Sequence, residues 1–189
     1  MARTKDTAAV TTYADHEVIL PENKLRKAIA PTGSADDNPV GRAEDALDEI
    51  SGEFGPWMNE ECERLDKARQ TIAEDGFSEK NKDALFLAAH DIKGQAATFG
   101  FPLVAPAANS LCRLIEHTPD PHQIPISLVE QHVDAVRAIF REYARPDIKE
   151  LASQLIKRLR DVTDEFLLRE NRDRPEVLKQ LLSPSIVPE

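Results

Sequence analysis

The sequence predicts an all-α protein: an antiparallel four-helix bundle with an additional C-terminal helix and a poorly structured N-terminal extension. Three observations predict this fold class. Apolar residues recur at three- and four-residue steps, as they do on one face of an amphipathic helix. Proline and glycine divide that pattern into helix-sized segments with short connections. Only 7 glycines and 5% aromatic residues among 189 residues favour helices over a sandwich of sheets.

The first segment, residues 1–40, is predicted to be a largely irregular extension, because prolines and Gly33 interrupt it and no hydrophobic period is sustained. It contains one apolar island, Val18-Ile19-Leu20-Pro21. Two roles for this island stay open at this point: docking on the folded body, or serving as a peptide motif.

Residues 41–145 are predicted to form the bundle, opening with a short helix from Arg42 to Ile50. The first bundle helix is expected to begin near Pro56 and to end at Gly76. Proline suits the first helical position because an N–H at that position would have no partner within the helix. Its inward stripe is Phe54, Met58, Leu65, Ala68 and Ile72.

Ser78 is predicted to cap the second bundle helix, which is expected to run from about Glu79 to Phe99 and to end at Gly100. The third helix is expected from roughly Pro102 to His117, and the fourth follows a Ser127 cap. The inward stripes are Val104, Ala108, Leu111 and Ile115 in the third helix, and Val129, Val133, Val136, Phe140 and Tyr143 in the fourth.

Residues 146–170 are predicted to form an extra amphipathic helix, and residues 171–189 a loosely ordered C-terminal tail. The extra helix has a heptad-like seam, which predicts either a fifth helix packed on the bundle or a contact between two copies through residues 147–170. Packing on the bundle is favoured, because the seam has fewer than three full heptads. The seam consists of Ile148, Ala152, Leu155, Leu159, Val162 and Phe166.

The composition argues against several classes of function. A formal net charge of -10 does not favour binding to nucleic acid or to anionic lipid, because both need a basic surface. No apolar stretch approaches the ~20 residues that span a bilayer. The N-terminus lacks the apolar core of a signal peptide, so a cytoplasmic location is expected.

No metal site is predicted from the spacing of the histidines, cysteines and carboxylates. There is no His-Glu-x-x-His pattern, and Cys62 and Cys112 are interpreted as two separate buried hydrophobic residues. His132 adjoins the stripe of the fourth helix and is interpreted as a histidine at the edge of the bundle.

His90 is the candidate functional residue. At about 100° per residue it lies about 160° round the second helix from Ile92, and it should therefore face outward. Lys93 and Gly94 adjoin it on that surface. The Lys93 ammonium could stabilise a phosphoryl group on the imidazole. Glycine costs up to ~1 kcal/mol in a helix interior relative to alanine, and Gly94 would let a partner's active site approach the ring. The inward stripe is Leu85, Ala88, Ile92, Ala96 and Phe99.

Three apolar residues flank His90 and are expected to form an exposed apolar collar, typical of a protein-binding surface: Phe86, Leu87 and Ala97. A free-base imidazole is a nucleophile that can hold a covalent intermediate. Phosphoryl transfer needs mainly in-line positioning and neutralisation of charge. One helix can therefore present the nucleophile and Lys93, while Mg²⁺ and acidic ligands are expected from a partner.

The segment His90-x-x-Lys93-Gly94, followed by Phe99-Gly100, resembles the histidine-containing phosphotransfer (HPt) domain over approximately residues 54–145. The resemblance implies that His90 is phosphorylated on a ring nitrogen, generally the one more distant from the backbone. It also implies that Lys93 and Gly94 aid transfer and access, and that the partners are receiver domains of response regulators or hybrid histidine kinases. Gln95 departs from the small residue common after the glycine of the motif, and this departure concerns partner docking.

The predicted function is that of a phosphocarrier in a two-component phosphorelay. The chain would take a phosphoryl group on His90, pass it to a response regulator and bind no cofactor itself. An autokinase is disfavoured, because the chain has no Gly-rich phosphate loop and too little sequence after the bundle for an ATP-binding domain. One alternative is not enzymatic: an adaptor that binds receiver domains or other signalling proteins without being phosphorylated.

Overall fold

A computed structural model of the chain describes residues 9–13, 15–20 and 38–181. The described residues up to Asp45 belong to one compact unit, and those from Ala46 onward belong to a second. In the first unit, strands β1 (Ala9–Thr12) and β2 (Glu17–Leu20) pair antiparallel, with Ala9 opposite Leu20 and Thr12 opposite Glu17. The Tyr13 N–H closes the turn by donating to the His16 carbonyl at 2.8 Å.

This hairpin is regular structure that the sequence did not indicate within the segment 1–40, which was predicted to be largely irregular. Both strands are rich in β-branched residues, which favour extended backbone, but four residues are too few to show a clear alternation. The residues of the apolar island from Val18 to Leu20 belong to β2, whereas Pro21 and residues 22–37 lie outside the described part of the chain.

Helix α1 (Pro39–Ser51) begins three residues before the predicted Arg42. Asn38 caps it, because the Asn38 Oδ1 accepts a hydrogen bond from the Gly41 N–H at 3.1 Å. Pro39 occupies the first helical position, where the missing N–H costs nothing.

Four further helices form the bundle: α2 (Phe54–Asp75), α3 (Glu79–Gln95), α4 (Ala105–His117) and α5 (Ile126–Arg141). Each helix packs on two others, since α2 contacts α3 and α5, and α4 contacts α3 and α5. Short connections join successive helices, so that neighbours run antiparallel. The predicted all-α bundle is confirmed.

The core of the bundle contains the predicted inward stripes together with further buried residues. Phe99, Phe140 and Tyr143 are partly buried against this core, and Phe54 is partly buried with its ring 5.8 Å from that of Phe99. The other members of the four stripes are buried: Met58, Leu65, Ala68, Ile72, Leu85, Ala88, Ile92, Ala96, Val104, Ala108, Leu111, Ile115, Val129, Val133 and Val136.

Two of the predicted helix boundaries are confirmed by the backbone. Gly76 has φ +76°, the left-handed region that favours glycine, directly after α2. The Ser78 Oγ accepts a hydrogen bond from the Asn81 N–H at 3.2 Å, as an N-cap of α3 does.

Two other helix boundaries differ from the predictions by two to four residues. Helix α2 begins at Phe54 rather than Pro56, and α3 ends at Gln95 rather than Phe99. A turn follows α3, in which Gly100 has φ +86° and the Phe101 N–H donates to the Ala96 carbonyl at 2.7 Å.

The predicted starts of the third and fourth helices are also corrected. Helix α4 begins at Ala105 rather than Pro102, since Pro106 already supplies a proline in the first turn. Helix α5 begins at Ile126 after Pro125, and no side-chain cap is formed there, so Ser127 is not its cap.

Helix α6 (Ile148–Glu170) packs on α4 and α5, as the favoured alternative predicted. Only part of its heptad-like seam is buried: Ala152, Leu159 and Phe166 are buried, whereas Leu155 and Val162 are exposed. A contact between two copies stays a prediction that nothing in the structure tests.

The predicted loose tail after residue 170 is wrong for residues 171–181. Helix α7 (Pro175–Leu181) contacts α6, and its Val177 is buried. The fully buried Asn171 amide donates to the carbonyls of His117 and Leu167, both at 2.9 Å, and so connects this segment to the end of α4. Residues 182–189 lie outside the described part of the chain.

His132 is fully buried and does not lie at the edge of the bundle as predicted, because α6 covers that edge. Its Nδ1 lies 2.7 Å from the Leu128 carbonyl. Its Nε2 lies 3.0 Å from the Ser110 Oγ of α4 and 3.2 Å from the Thr163 Oγ1 of α6. Burial lowers the pKa of His132, so a neutral ring with a proton on Nδ1 satisfies all three contacts.

Candidate functional site

His90 lies in α3 with 58% of its side chain exposed, and the outward orientation predicted from the helix phase is confirmed. Leu85, Ala88 and Ile92 are buried on the opposite side of the same helix. The same amphipathic pattern that builds the core therefore presents the imidazole to solvent.

Apolar residues surround His90 as predicted, although they are not equally exposed. The Phe86 ring lies 5.8 Å from the imidazole, centroid to centroid, and is partly buried against the core. Leu87 is 56% exposed, and Ala97 is exposed one turn beyond Lys93. An exposed leucine beside a half-packed phenylalanine is suited to contact with another protein.

Lys93 is exposed, and no carboxylate of the described residues lies within 4.0 Å of its ammonium. Burial raises the pKa of the Cys112 thiol on α4 to about 11, and the charge of Lys93 opposes that rise. Lys93 therefore lies on the side of α3 that faces α4. Its charge is available to a phosphoryl group because no carboxylate in the described part of the chain neutralises it.

Gly94 faces open space. A Cβ built on it would meet no atom within 4 Å outside the backbone of its own helix. Close packing between helices therefore does not require glycine at this position. Access for another molecule is the reason that fits its cost in a helix interior.

Gln95 is exposed, but it lies about 140° round α3 from His90 at 100° per residue. It occupies the side of α3 that faces α2, away from Lys93. This placement makes Gln95 unsuited to contact a phosphoryl group on His90 and leaves it as a candidate for partner docking.

Asp91 and Arg64 also belong to the site, although the sequence did not single them out. Arg64 of α2 donates from Nη2 to the Asp91 Oδ2 at 2.6 Å. The Asp91 Oδ1 lies 3.9 Å from the His90 Nδ1. Partial burial lowers the pKa of Arg64, but its hydrogen bond to Asp91 and the charge of Glu61 raise it above the usual value.

The sequence contained one signal for this pair, since Asp91 follows His90 directly. The partner of Asp91 comes from another helix, 27 residues earlier in the chain, and no local pattern indicates such a contact.

A shallow groove of about 320 Å³ lies on the side of His90 toward the start of α3. Phe86 lines it from α3, and Ile115, Glu116 and Pro119 line it from the end of α4 and the following loop. Phe86 lines the groove and its ring also lies beside the imidazole, so the groove adjoins the apolar collar on the side toward α4. Its lining is mixed, because Lys82, Asp83 and Glu116 contribute charged groups.

The described residues contain no group of three histidine, cysteine or carboxylate side chains arranged to hold a metal ion. Within the same part of the chain, no helix combines the length and apolar character needed to cross a membrane.

The fold and the site together define a helical bundle that presents one histidine, with a lysine and a glycine beside it. Residues 49–139 match the family model of the Hpt domain, a span that includes His90 and most of the bundle. The chain therefore contains an Hpt domain over residues 49–139. Hpt domains act in phosphotransfer in two-component signalling. No curated protein and no solved structure matches the chain.

Proposed function

We propose that the chain is a phosphocarrier of a phosphorelay. His90 accepts a phosphoryl group from the aspartyl phosphate of a receiver domain, either free or within a hybrid kinase, and passes it to a response regulator. The observation that carries this proposal is the exposed His90 of an Hpt helix. Within one turn of it lie an open glycine and an ammonium that no carboxylate of the described residues neutralises.

The transfer forms one bond and breaks one bond. A lone pair of the His90 ring attacks phosphorus, and the bond from phosphorus to the aspartyl oxygen breaks, so that the aspartate leaves as a carboxylate. Lys93 neutralises charge on the phosphoryl oxygens during the transfer, and Gly94 leaves room for the donor. The next receiver reverses these steps with its own aspartate.

The partner supplies the remaining components in this proposal. Mg²⁺ and its acidic ligands belong to the receiver domain, while this chain contributes the nucleophile, Lys93 and the docking surface of Phe86, Leu87, Ala97 and Gln95. The chain acts as an intermediate without autokinase activity, and we place the relay in the cytoplasm.

The test uses a receiver domain that has been labelled on its aspartate with radioactive acetyl phosphate. After mixing with the full chain, label should move to the chain in a form that is stable to base and labile to acid, as phosphohistidine is. The His90→Ala variant should take up no label, whereas His122→Ala, which changes an exposed histidine of the loop before α5, should behave as wild type.

The alternative is an adaptor that docks receiver domains through the apolar collar without accepting phosphate. The exposure of Leu87 favours docking of either kind, and in the adaptor His90 has no chemical role. Binding of receiver domains with no label on the chain would support the adaptor, and label that persists in His90→Ala would overturn the assignment of His90.

A further inference from the structure

The imidazole of His90 lies between charges of opposite sign. On the side of α3 that faces α4 is the Lys93 ammonium. On the side that faces α2, the Asp91 Oδ1 lies 3.9 Å from the Nδ1 of the ring. This carboxylate is held from its other oxygen by Arg64 at 2.6 Å, and Arg64 also pairs with Glu61.

The position of the ring proton decides which nitrogen can act as a nucleophile. A neutral imidazole has one proton, and only the nitrogen without it has a lone pair in the ring plane. Isolated histidine prefers the proton on Nε2, the nitrogen that projects further from the backbone. A nucleophilic Nε2 therefore needs a group that favours the proton on Nδ1.

We propose that Asp91, anchored by Arg64, is a positioning residue that holds the ring proton of His90 on Nδ1 and leaves the lone pair of Nε2 for the phosphoryl group. The contact at 3.9 Å is longer than a hydrogen bond, so it acts through charge. A rotation of the exposed His90 side chain would shorten this contact while Arg64 keeps the carboxylate in place. The use of the Nε2 lone pair for phosphoryl transfer rests on the proposed function, whereas the position of the ring proton does not.

The same carboxylate suits the product of the step. When the Nε2 lone pair bonds to phosphorus, the proton stays on Nδ1 and the ring becomes a cation bearing the phosphoryl group. Asp91 then faces the positive ring from the Nδ1 side, while Lys93 faces the phosphoryl oxygens from the other side. An acidic residue stabilises the imidazolium of hydrolytic triads in a similar way.

Arg64 has a specific part in this arrangement. Asp91 is about one-third exposed, and without an anchor its carboxylate would sample several rotamers. The hydrogen bond from α2 holds the carboxylate on the side of α3 where its second oxygen faces Nδ1. Loss of Arg64 should therefore weaken the preference for the Nδ1 proton without abolishing it.

The first test measures the ring proton directly in the unphosphorylated full chain, and it needs no partner. The ¹⁵N chemical shifts of the His90 ring are recorded at alkaline pH, with the ring neutral, and His90→Ala assigns the signals among the 5 histidines. The wild type should show a protonated Nδ1 and an unprotonated Nε2. In Asp91→Ala the population should shift toward the Nε2 proton.

A matched control removes a carboxylate of the same helix at a greater distance. Asp83→Ala deletes a charge two turns before His90 and should leave the ring nitrogens as in the wild type. Equal ¹⁵N shifts in the wild type and in Asp91→Ala would overturn the inference, and so would an equal change in Asp83→Ala.

The second test uses phosphoramidate, a small donor that needs no docking surface. Its P–N bond breaks as the bond from His90 to phosphorus forms, and ammonia leaves. Asp91→Ala should slow phosphorylation roughly two- to fivefold, because a pair of exposed charges contributes little. Arg64→Gln should have a smaller effect in the same direction, and unchanged rates in both variants would contradict the role of the pair.

Failure of this inference and failure of the relay give different results. If the ring proton does not respond to Asp91 but a receiver still labels His90, only the positioning role is wrong. If the ring proton responds and neither donor labels His90, the relay is wrong while the effect of Asp91 on the ring stands.

Discussion

Replacing Gly94 with leucine should make the protein more stable and the transfer slower. A Cβ at this position meets nothing within 4 Å, so the new side chain extends into solvent without displacing the core. The change removes the glycine penalty of about 0.5–1 kcal/mol in the free energy of unfolding. For a chain of this size, such a gain raises Tm by about 1–4 °C.

The same leucine lies one turn from His90 on the outward face of α3 and obstructs an approaching receiver domain. Overlap of this kind typically costs about 1–3 kcal/mol, which corresponds to transfer that is about 5- to 150-fold slower. Stability and function therefore change in opposite directions at one position. Damage to the fold would lower both, so it cannot produce this combination.

The assay combines thermal unfolding with the rate of transfer from a phosphorylated receiver domain. Gly55→Leu is the matched control, because Gly55 also faces open space but lies at the start of α2. It should leave the transfer rate unchanged. Phosphoramidate should still label Gly94→Leu at nearly the wild-type rate, since a small donor needs little room. Equal rates of transfer from the receiver to the wild type and Gly94→Leu would refute the reasoning.

Three further predictions follow from the same structure. Lys93→Ala should slow transfer about 10-fold or more at unchanged receiver affinity, because it removes the charge beside the phosphoryl oxygens. Single-turnover rates at saturating receiver concentration measure the change in the transfer rate. Leu87→Asp should weaken receiver binding by about 1–3 kcal/mol, as calorimetry would show, because the apolar collar loses a leucine that is 56% exposed. Lowering the pH through about 6.5 should reduce the free energy of unfolding, because His132 accepts a proton in the unfolded chain more readily than in the folded one.

The sign of the pH effect follows from the lowered pKa of His132. Its stabilising contribution is complete above the unfolded value near 6.5 and is lost as the pH falls toward the folded value. Urea unfolding at pH 7.5 and 5.5 measures the difference. His132→Gln should flatten the dependence and His122→Gln should not; a slope that survives in His132→Gln would place its origin elsewhere.

Controls for the other two variants use exposed positions on other helices. Lys67→Ala, on α2, should transfer phosphate as the wild type does, and a loss equal to that of Lys93→Ala would point to a general effect of charge. Leu151→Asp, on α6, changes an exposed leucine far from α3 in sequence. If it weakened receiver binding as much as Leu87→Asp, the collar would not be the docking surface.

The helices and the outward placement of His90 were predictable because both follow from a single period. Leu85, Ala88 and Ile92 mark the inward side of α3 in the sequence, and the position of His90 relative to them needs no knowledge of other helices. Helix ends were less predictable, since several local signals compete. Pro102 and Pro106 both suit a helix start, and only the packed structure selects the second.

Contacts between distant segments were not predictable from one sequence. The burial of His132 depends on α6, which supplies Thr163 from 31 residues further along the chain. The contact of Arg64 with Asp91 likewise depends on how α2 packs beside α3. Both cases involve polar groups whose partners lie on another helix, and hydrophobic periodicity carries no information about such partners.

The packing of α6 is consistent with a site on α3 that stays accessible. Helix α6 contacts α4 and α5, where the buried group of His132, Ser110 and Thr163 links the three helices. His90 lies on α3 and is exposed. The additional helix thus extends the bundle on the side of α4 and α5, and the imidazole stays available to a partner.

The most direct measurement of the central claim is the site of the phosphoryl group after transfer from a receiver domain. The full chain is incubated with a phosphorylated receiver, digested at neutral or basic pH and examined by tandem mass spectrometry, with ³¹P NMR of the intact protein alongside. We predict a single phosphohistidine at His90, a signal of a nitrogen-bound phosphoryl group and loss of both in His90→Ala. Phosphate on another residue, or none on the chain while the receiver binds it, would contradict the account.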